Sequence, residues 1–385
     1  MIHYYFNEEH QLIRKTARDF VENDIKPFIE QWEEAGGYPR ELFEQIAELG
    51  FFGLKFPEEY GGSGPDYLAE LIWIEELSRC ASGGVTGGLG AHSQIALPPI
   101  GKFGDDELKH RFLAPGIDGK KIGALAITEP DNGSDVANIK TRAEKEKDYY
   151  IVNGGKTFIT NALHCDFAVV AVKTDKEAKH KGISLLVIEK NTPGFSTGQK
   201  MDKLGWRASD TSELYFEDCK VPQENLIGKE NKGFYYIMQN FQWERIVMAL
   251  YSVVHAQLAV ETALEYSRQR EQFGRKIGDF QVIRHYLADM ATEVEAARQL
   301  TYYAFLRFMK DEDSIKEAAM AKLQAGRVAQ QVIDYALQIH GGNGYMMEYP
   351  VQRLWRDERL STIGGGTSEI LKEIISGQVQ KNYQK

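Results

Sequence analysis

The sequence predicts an α+β protein built from three successive domains: helical, then β, then helical again. Three observations carry that reading. Apolar residues recur at helical spacing through residues 1–119, β-branched and aromatic residues cluster in short runs over 120–229, and long helical tracts fill 230–385. Helices and strands are thus segregated along the chain, which argues against an alternating βαβ fold. With 385 residues and 43% hydrophobic content, the chain can bury a large core.

The first helix starts at Asn7, a residue suited to capping, and its apolar stripe is expected to contain Leu12, Ile13, Thr16, Phe20 and Ile25. Glycine-rich turns such as EEYGGSGPD separate the helical segments that follow. The β domain is read from DYYIVNGGKTFIT, DFAVVAVKT, GISLLVIEK and SELYFEDCKVP, punctuated by Asn-Gly and Lys-Gly turns. Of the long helical tracts beyond it, the one ending in QIH meets Gly341 and Gly342, a suitable C-cap.

A net charge of -10 without any Lys/Arg block argues against a general nucleic-acid binder. Cys80, Cys165 and Cys219 form no CxxC pair, so neither a zinc site nor a disulfide framework is expected, and no metal is implied. No basic segment followed by an apolar one opens the chain, and no unbroken apolar run approaches ~20 residues. The expected location is the cytosol, or the mitochondrial matrix if a transit peptide has been removed.

Five segments could carry chemistry. LAITEPDNGSD, Leu125 to Asp135, reads equally as a polar turn or a ligand loop. KTFITN places Phe158 and Thr160 on one strand face by period two, which suits a flat heterocycle or a core strand. RQREQFGRK offers guanidinium groups for phosphate or simply a solvated turn. The glycines of QIHGGNGYMMEYPVQRLWRD could cap a helix or admit a pyrophosphate. STIGGGTSEI surrenders three side chains just before a polar triplet.

Two of these stretches carry a resemblance along essentially the whole chain. AITEPDNGSDVAN, departing only at Asn138, and QIHGGNGYMMEYPVQRLWRD resemble the two signatures of the acyl-CoA dehydrogenases, a flavoprotein family. The resemblance implies an N-terminal helical domain, a middle β domain and a C-terminal four-helix bundle, with FAD shared between subunits of a homotetramer. It implies that Leu125, Ile127, Thr128, Gly133 and Ser134, with Phe158, Ile159 and Thr160, line the isoalloxazine. Arg270, Gln272, Phe273, Gln281, Gln338, Gly341 and Gly342 would reach the adenosine-diphosphate portion across a dimer interface, where Thr367, Ser368 and Glu369 also contact the cofactor. Ser134, Tyr235, Gln242, Arg245, Gly365 and Gly366 are expected at the acyl-CoA. Gln242 stands where many relatives have Asp, so a hydrogen bond to pantetheine does not carry over directly.

The implied reaction is α,β-dehydrogenation, which needs a base for the α-proton. Many members place a glutamate where this chain has Gly365. A smaller branch, which includes long-chain and isovaleryl enzymes, carries it on a helix immediately before an arginine, and FQWERIVMA supplies Glu244 before Arg245. Exposed helical glutamates are common, but Trp243, Ile246, Val247 and Ala249 flank this one, and an apolar setting raises a carboxyl pKa. The expected function is oxidation of medium-to-long or branched acyl-CoA with an electron-transfer flavoprotein as acceptor. Chain length is expected to depend on packing around His92, Ser93 and Ala96. A same-fold flavin oxidase or monooxygenase and a catalytically silent acyl-CoA-binding protein are the alternatives.

Overall fold

The computed structural model describes residues 5–383. Helix Glu8–Phe20 begins as expected: the Asn7 side chain accepts the His10 N–H at 2.8 Å, and His10 Nδ1 accepts the Asn7 N–H at 3.1 Å. Its inner face differs from the expected stripe. Leu12 is 64% exposed, whereas His10, Ala17, Val21 and Ile25 are buried. Arg14 and Arg18 lie along this inner side, held by ion pairs to the buried Glu76 at 2.7 and 2.8 Å. The π-helical turn Val21–Ile25 then adds a residue and keeps the buried positions in phase.

The middle of the chain forms a seven-stranded sheet: β1 Gly123–Ala126, β2 Arg142–Glu146, β3 Tyr149–Thr160, β4 Phe167–Lys173, β5 Ile183–Glu189, β6 Phe195–Thr197 and β7 Thr211–Pro222. The neighbour order is β1-β4-β2-β3-β7-β6, with β5 also on β4. β4 is buried on both faces. Phe167, Val169 and Ala171 join Leu97, Phe112 and Ile237, while Ala168, Val170 and Val172 join Tyr150 and Phe216. Period-two alternation here divides residues between two cores, which is why the strand reads as one apolar run.

The helix Gly233–Gln269 spans 37 residues and shares a core with Gln281–Met309 and Ile315–His340. By length and apolarity it could cross a membrane, yet 67% of its most apolar window is buried inside the protein. Gly341 caps Ile315–His340 at φ +58, donating its N–H to Gln338 O. A short ribbon, Glu271–Gln272 with Arg275–Lys276, turns at Phe273 and Gly274 with φ +53 and +75. All three cysteines are free and buried.

One junction ties the three regions together. Asp357 accepts the Gly83 and Trp206 N–H groups at 2.8 and 2.6 Å, and Glu33 accepts the Ala208 N–H at 3.0 Å. Glycine helix Gly83–Gly90 packs so closely there that a Cβ on Gly83 or Gly87 would overlap the Trp206 ring.

Candidate active site

Glu244 lies on the helix Gly233–Gln269, one turn after Asn240, and is 6% exposed. Asn240 Nδ2 donates to Glu244 Oε1 at 2.6 Å and also reaches Ile95 O at 3.4 Å. Burial pushes the Glu244 carboxyl up to about 8, against the opposing pull of the Asn240 bond and the Arg245 charge. Arg245 is itself buried, with its guanidinium 5.7 Å from the Phe241 ring and its Nε unpaired. Next to Glu244, Trp243 Nε1 donates to Gln94 Oε1 at 3.0 Å, and Gln94 Oε1 also accepts Lys55 Nζ at 2.9 Å. The π-helical turn Ala91–Ala96 therefore grips the helix over the turn that leads into the carboxylate.

The triple glycine comes to the same place. A Cβ on Gly365 would stand 3.4 Å from Met248 Cγ and 3.9 Å from Lys322 Cε, and Met248 is one helical turn beyond Glu244. Gly365 and Gly366 have φ of +65 and +97, a conformation that favours glycine. Lys322 Nζ holds the loop by donating to Gly366 O at 2.6 Å. Burial, with Arg245 nearby, lowers the Lys322 ammonium to about 8. Two of these glycines are therefore required by the backbone as well as by space, a reason the sequence does not display.

The residues expected at the flavin assemble on the β domain. Thr157 N–H donates to Thr128 O at 2.9 Å, joining the Leu125–Ser134 segment to the end of β3. Glu129, with Lys156 Nζ at 2.8 Å, anchors that segment from below. Phe158 is 68% exposed, and Thr160 is half-buried. Their shared outward placement does not come from simple alternation: the β3–β7 register breaks between Lys156 and Ile159, and Phe158 has φ +59. A Cβ on Gly133 would meet no atom within 4 Å, and Ser134 is exposed beside it. An uncovered aromatic face, a hydroxyl and an open backbone edge fit a bound isoalloxazine. Leu125 is half-buried, while Ile127 and Ile159 are buried beneath this surface. Asn138, the departure from the family signature, donates to Asp135 Oδ2 at 2.5 Å.

The second expected group is a separate surface. The Tyr266 and His340 rings stack at 4.3 Å, and Asn343 Nδ2 donates to Tyr266 OH at 3.0 Å, which sets Gln338, Gly341 and Gly342 near the helix end at Arg270. Arg270, Gln272, Phe273, Gln281, Gln338, Gly341 and Gly342 are all exposed. Among the described residues no hydrogen bond, ion pair or ring contact joins them to the Phe158 surface. Thr367 Oγ1 accepts the Ile370 N–H at 3.3 Å and so caps helix Ser368–Tyr383, with Glu369 exposed on its first turn.

Of the residues expected at the acyl-CoA, Tyr235 is 40% exposed, with Lys232 Nζ 5.5 Å from its ring. Gln242 Oε1 accepts from Ser314 Oγ at 3.1 Å. Among the described residues, none of His92, Ser93 and Ala96 hydrogen-bonds to Glu244. His92 Nδ1 accepts the Gly123 N–H at 2.9 Å, which leaves Nε2–H to donate to Gly116 O at 3.0 Å. Ser93 bonds Leu89 O, and Ala96 abuts Gly123. His92 and Ala96 thus pack toward β1, while Gln94 and Ile95 are the residues of this π-helical turn that bond the helix. Sequence reading also missed Asn240 and Lys322. Asn240 had a visible signal, its spacing four residues before Glu244; Lys322 had none.

Three family models match the chain: the acyl-CoA dehydrogenase N-terminal domain over residues 7–120, the middle domain over 124–219 and the C-terminal domain over 231–380. The chain is 41% identical over 378 residues to the caffeyl-CoA reductase-Etf complex subunit CarC of Acetobacterium woodii, covering 98% of this chain and 100% of that protein. It is also 41% identical to the human mitochondrial short-chain specific acyl-CoA dehydrogenase, covering 98% of this chain and 91% of the relative. The crystal structure of a probable acyl CoA dehydrogenase from Mycobacterium abscessus superposes with a TM-score of 0.94 at 44% identity, over 97% of this chain and all of the other.

Proposed function

The chain belongs to the acyl-CoA dehydrogenase family of FAD-dependent oxidoreductases, and from that premise we propose that Glu244 removes the α-proton of an acyl-CoA. The observation that carries this reading is the buried Glu244 carboxylate, raised to about 8, beside a glycine loop that has no carboxylate of its own. A base with a pKa near the working pH combines a usable ionised fraction with enough basicity to take a weakly acidic proton. Asn240 holds Oε1, leaving Oε2 for the proton, and the buried flank excludes water that would compete for it.

The FAD, when bound, supplies the acceptor for the hydride leaving C3. On this reading Phe158 and Thr160 hold its ring system against the β domain. Arg270, Phe273, Gln281, Gln338 and the Gly341–Gly342 turn serve the cofactor of a neighbouring subunit in a homotetramer. Their exposure in the single chain, apart from the Phe158 surface, supports that division. Tyr235, Gln242, Arg245 and Ser134 flank the approach for CoA, and an electron-transfer flavoprotein takes the electrons onward, as the Etf complex membership in the name of CarC suggests.

That relative's name also favours a second reading, enoyl-CoA reduction, in which protonated Glu244 returns its proton to C2. Both directions use one acid–base group. Glu244→Gln should retain FAD yet lose substrate-dependent flavin bleaching by ~10²–10⁴-fold. A variant that keeps more than about a hundredth of the wild-type rate would remove Glu244 from the role. Bleaching by saturated acyl-CoA, compared with reoxidation of the photoreduced protein by 2-enoyl-CoA, reads the two directions separately.

A further inference from the structure

The helix Gly233–Gln269 and the segment 83–96 run past each other in opposite directions. Asn240 meets Ile95 O, Trp243 meets Gln94, and eight residues farther along, Tyr251 OH donates to Thr86 O at 3.2 Å. Glu244 lies between the first two contacts and the last, so a chain entering between the two elements would run along a slot with the carboxylate in its wall. Residues along it keep some exposure inside an otherwise buried region: Ile95 and Met248 are half-buried, and Gly365 is exposed. Ala91 and Gly90 contribute little bulk from the opposite side.

The slot has an outer and an inner end. Tyr235 is exposed near the start of the helix, and Phe241 and Gln242 are half-buried, whereas the helix from Trp243 to Val247 is buried. The nucleotide of a CoA thioester is large and charged and stays at the exposed end. On the reading that Glu244 takes the α-proton, the acyl tail must then advance past Val247 and Met248 toward Tyr251.

Tyr251 is 5% exposed, and its hydroxyl lies 2.3 Å from where a Cβ on Gly90 would stand. The missing side chain of Gly90 makes room for the phenol, and the Thr86 bond fixes it. Behind it, the Trp206 ring fills the space left by Gly83 and Gly87, and Tyr38 fills that left by Gly88. We infer that Tyr251 is the stop that sets acyl length, a specificity-determining residue that restricts this enzyme to short straight or compact branched acyl groups. Seven residues at ~1.5 Å place Tyr251 ~10 Å beyond Glu244, and its ring, leaning back along the helix, takes roughly half of that. The remaining ~5 Å holds about four carbons beyond the α-carbon, an acyl chain of about six.

The test uses the FAD-loaded full chain and a series of straight acyl-CoAs from butanoyl to dodecanoyl, with flavin bleaching in single turnover. Wild type should slow about tenfold for each methylene beyond the limit, since a methylene without room costs on that order. Tyr251→Ala should raise the ratio of the decanoyl rate to the butanoyl rate at least tenfold, chiefly through KM. Tyr251→Leu, closer in volume, should shift the limit by fewer carbons and preserves the test if the smaller residue destabilises the chain. An unchanged length profile in an active, FAD-containing Tyr251→Leu or Tyr251→Ala protein would overturn the stop while leaving the base intact. Equal wild-type rates for butanoyl- and dodecanoyl-CoA would also overturn it. Bleaching by no acyl-CoA of any length would overturn the stop together with the reaction it serves.

Discussion

Two buried glutamates of this protein have nearly equal exposure and opposite chemistry. Glu129 is 5% exposed and Glu244 is 6% exposed. Glu129 receives Lys156 Nζ at 2.8 Å and the Thr141 and Lys140 N–H groups at 2.9 and 2.5 Å. Burial raises its pKa, but the Lys156 charge and these bonds together outweigh it, so the carboxyl ends below its ordinary value. Glu244 receives one neutral amide bond and has Arg245 as its nearest cation, so burial prevails and the carboxyl rises to about 8. Burial alone does not make a base; the number of donors supplied to the ionised form decides between an anchor and a reactive group.

The largest test of that comparison removes the donors of the anchor. Lys156→Met leaves Glu129 buried without its cation, an arrangement that costs about 3–5 kcal/mol. Chemical denaturation should report that loss, with FAD content falling as the Leu125–Ser134 segment loosens. A loss below about 1 kcal/mol would mean that the backbone donors alone hold Glu129, and the contrast with Glu244 would then rest on backbone geometry rather than on charge.

Next comes the pH dependence of the reactive group. If ionised Glu244 is the base, kcat/KM for oxidation should rise about tenfold per pH unit and level off near pH 8. Glu244 has its folded pKa raised from 4.5, so its contribution to stability is full below about pH 4.5 and is lost as pH rises through about 8. Glu129 is the reverse: its folded pKa is lowered, so its contribution is present at neutral pH and disappears on acidification. Wild type should therefore lose stability relative to Glu244→Gln between pH 5 and pH 9. Parallel melting curves for the two proteins across that range would show that Glu244 is not held in its neutral form.

The smallest effect comes from withdrawing the single donor of Glu244. Asn240→Ala removes the bond that favours the carboxylate, so the inflection of the kcat/KM profile should move to higher pH, by about one unit for a hydrogen bond worth ~1 kcal/mol. At pH 7 the rate falls about tenfold, while at high pH it approaches that of wild type. A uniform loss at every pH would instead show that Asn240 orients the carboxylate without tuning it.

Much of the site could be read along the chain because it is carried by local patterns. The Glu-Arg pair inside an apolar stretch, the glycines that close QIH and the strand-ending KTFIT all announce themselves within a few residues. The glycine cap at Gly341 stands where the local pattern puts it, whereas Phe158 is exposed through a register break and a positive φ rather than through alternation. Leu12 was misplaced because two arginines lie along the inner side of its helix, an arrangement set by Glu76 some 60 residues away in the chain. That Gln94 and Ile95 are the residues of the π-helical turn that bond the helix could not be read along the chain, because neither helical nor strand periodicity signals such a turn.

The order helix, strand, helix, the separation of two glycine-rich loops from the apolar tracts and the identity of a buried glutamate candidate were determined by the sequence itself, since amphipathic periodicity and backbone-permissive residues act over a turn or two. Only the tertiary structure decided that Gln94 and Ile95 bond the helix just ahead of Glu244, that Lys322 pins the glycine loop against it, and that the Tyr251 phenol fits into the room left by Gly90. Each of these joins residues far apart in the chain through a single donor or a single missing side chain. Such pairings leave no period in either partner's neighbourhood; they exist only once two packed surfaces have been brought to within a hydrogen bond of each other.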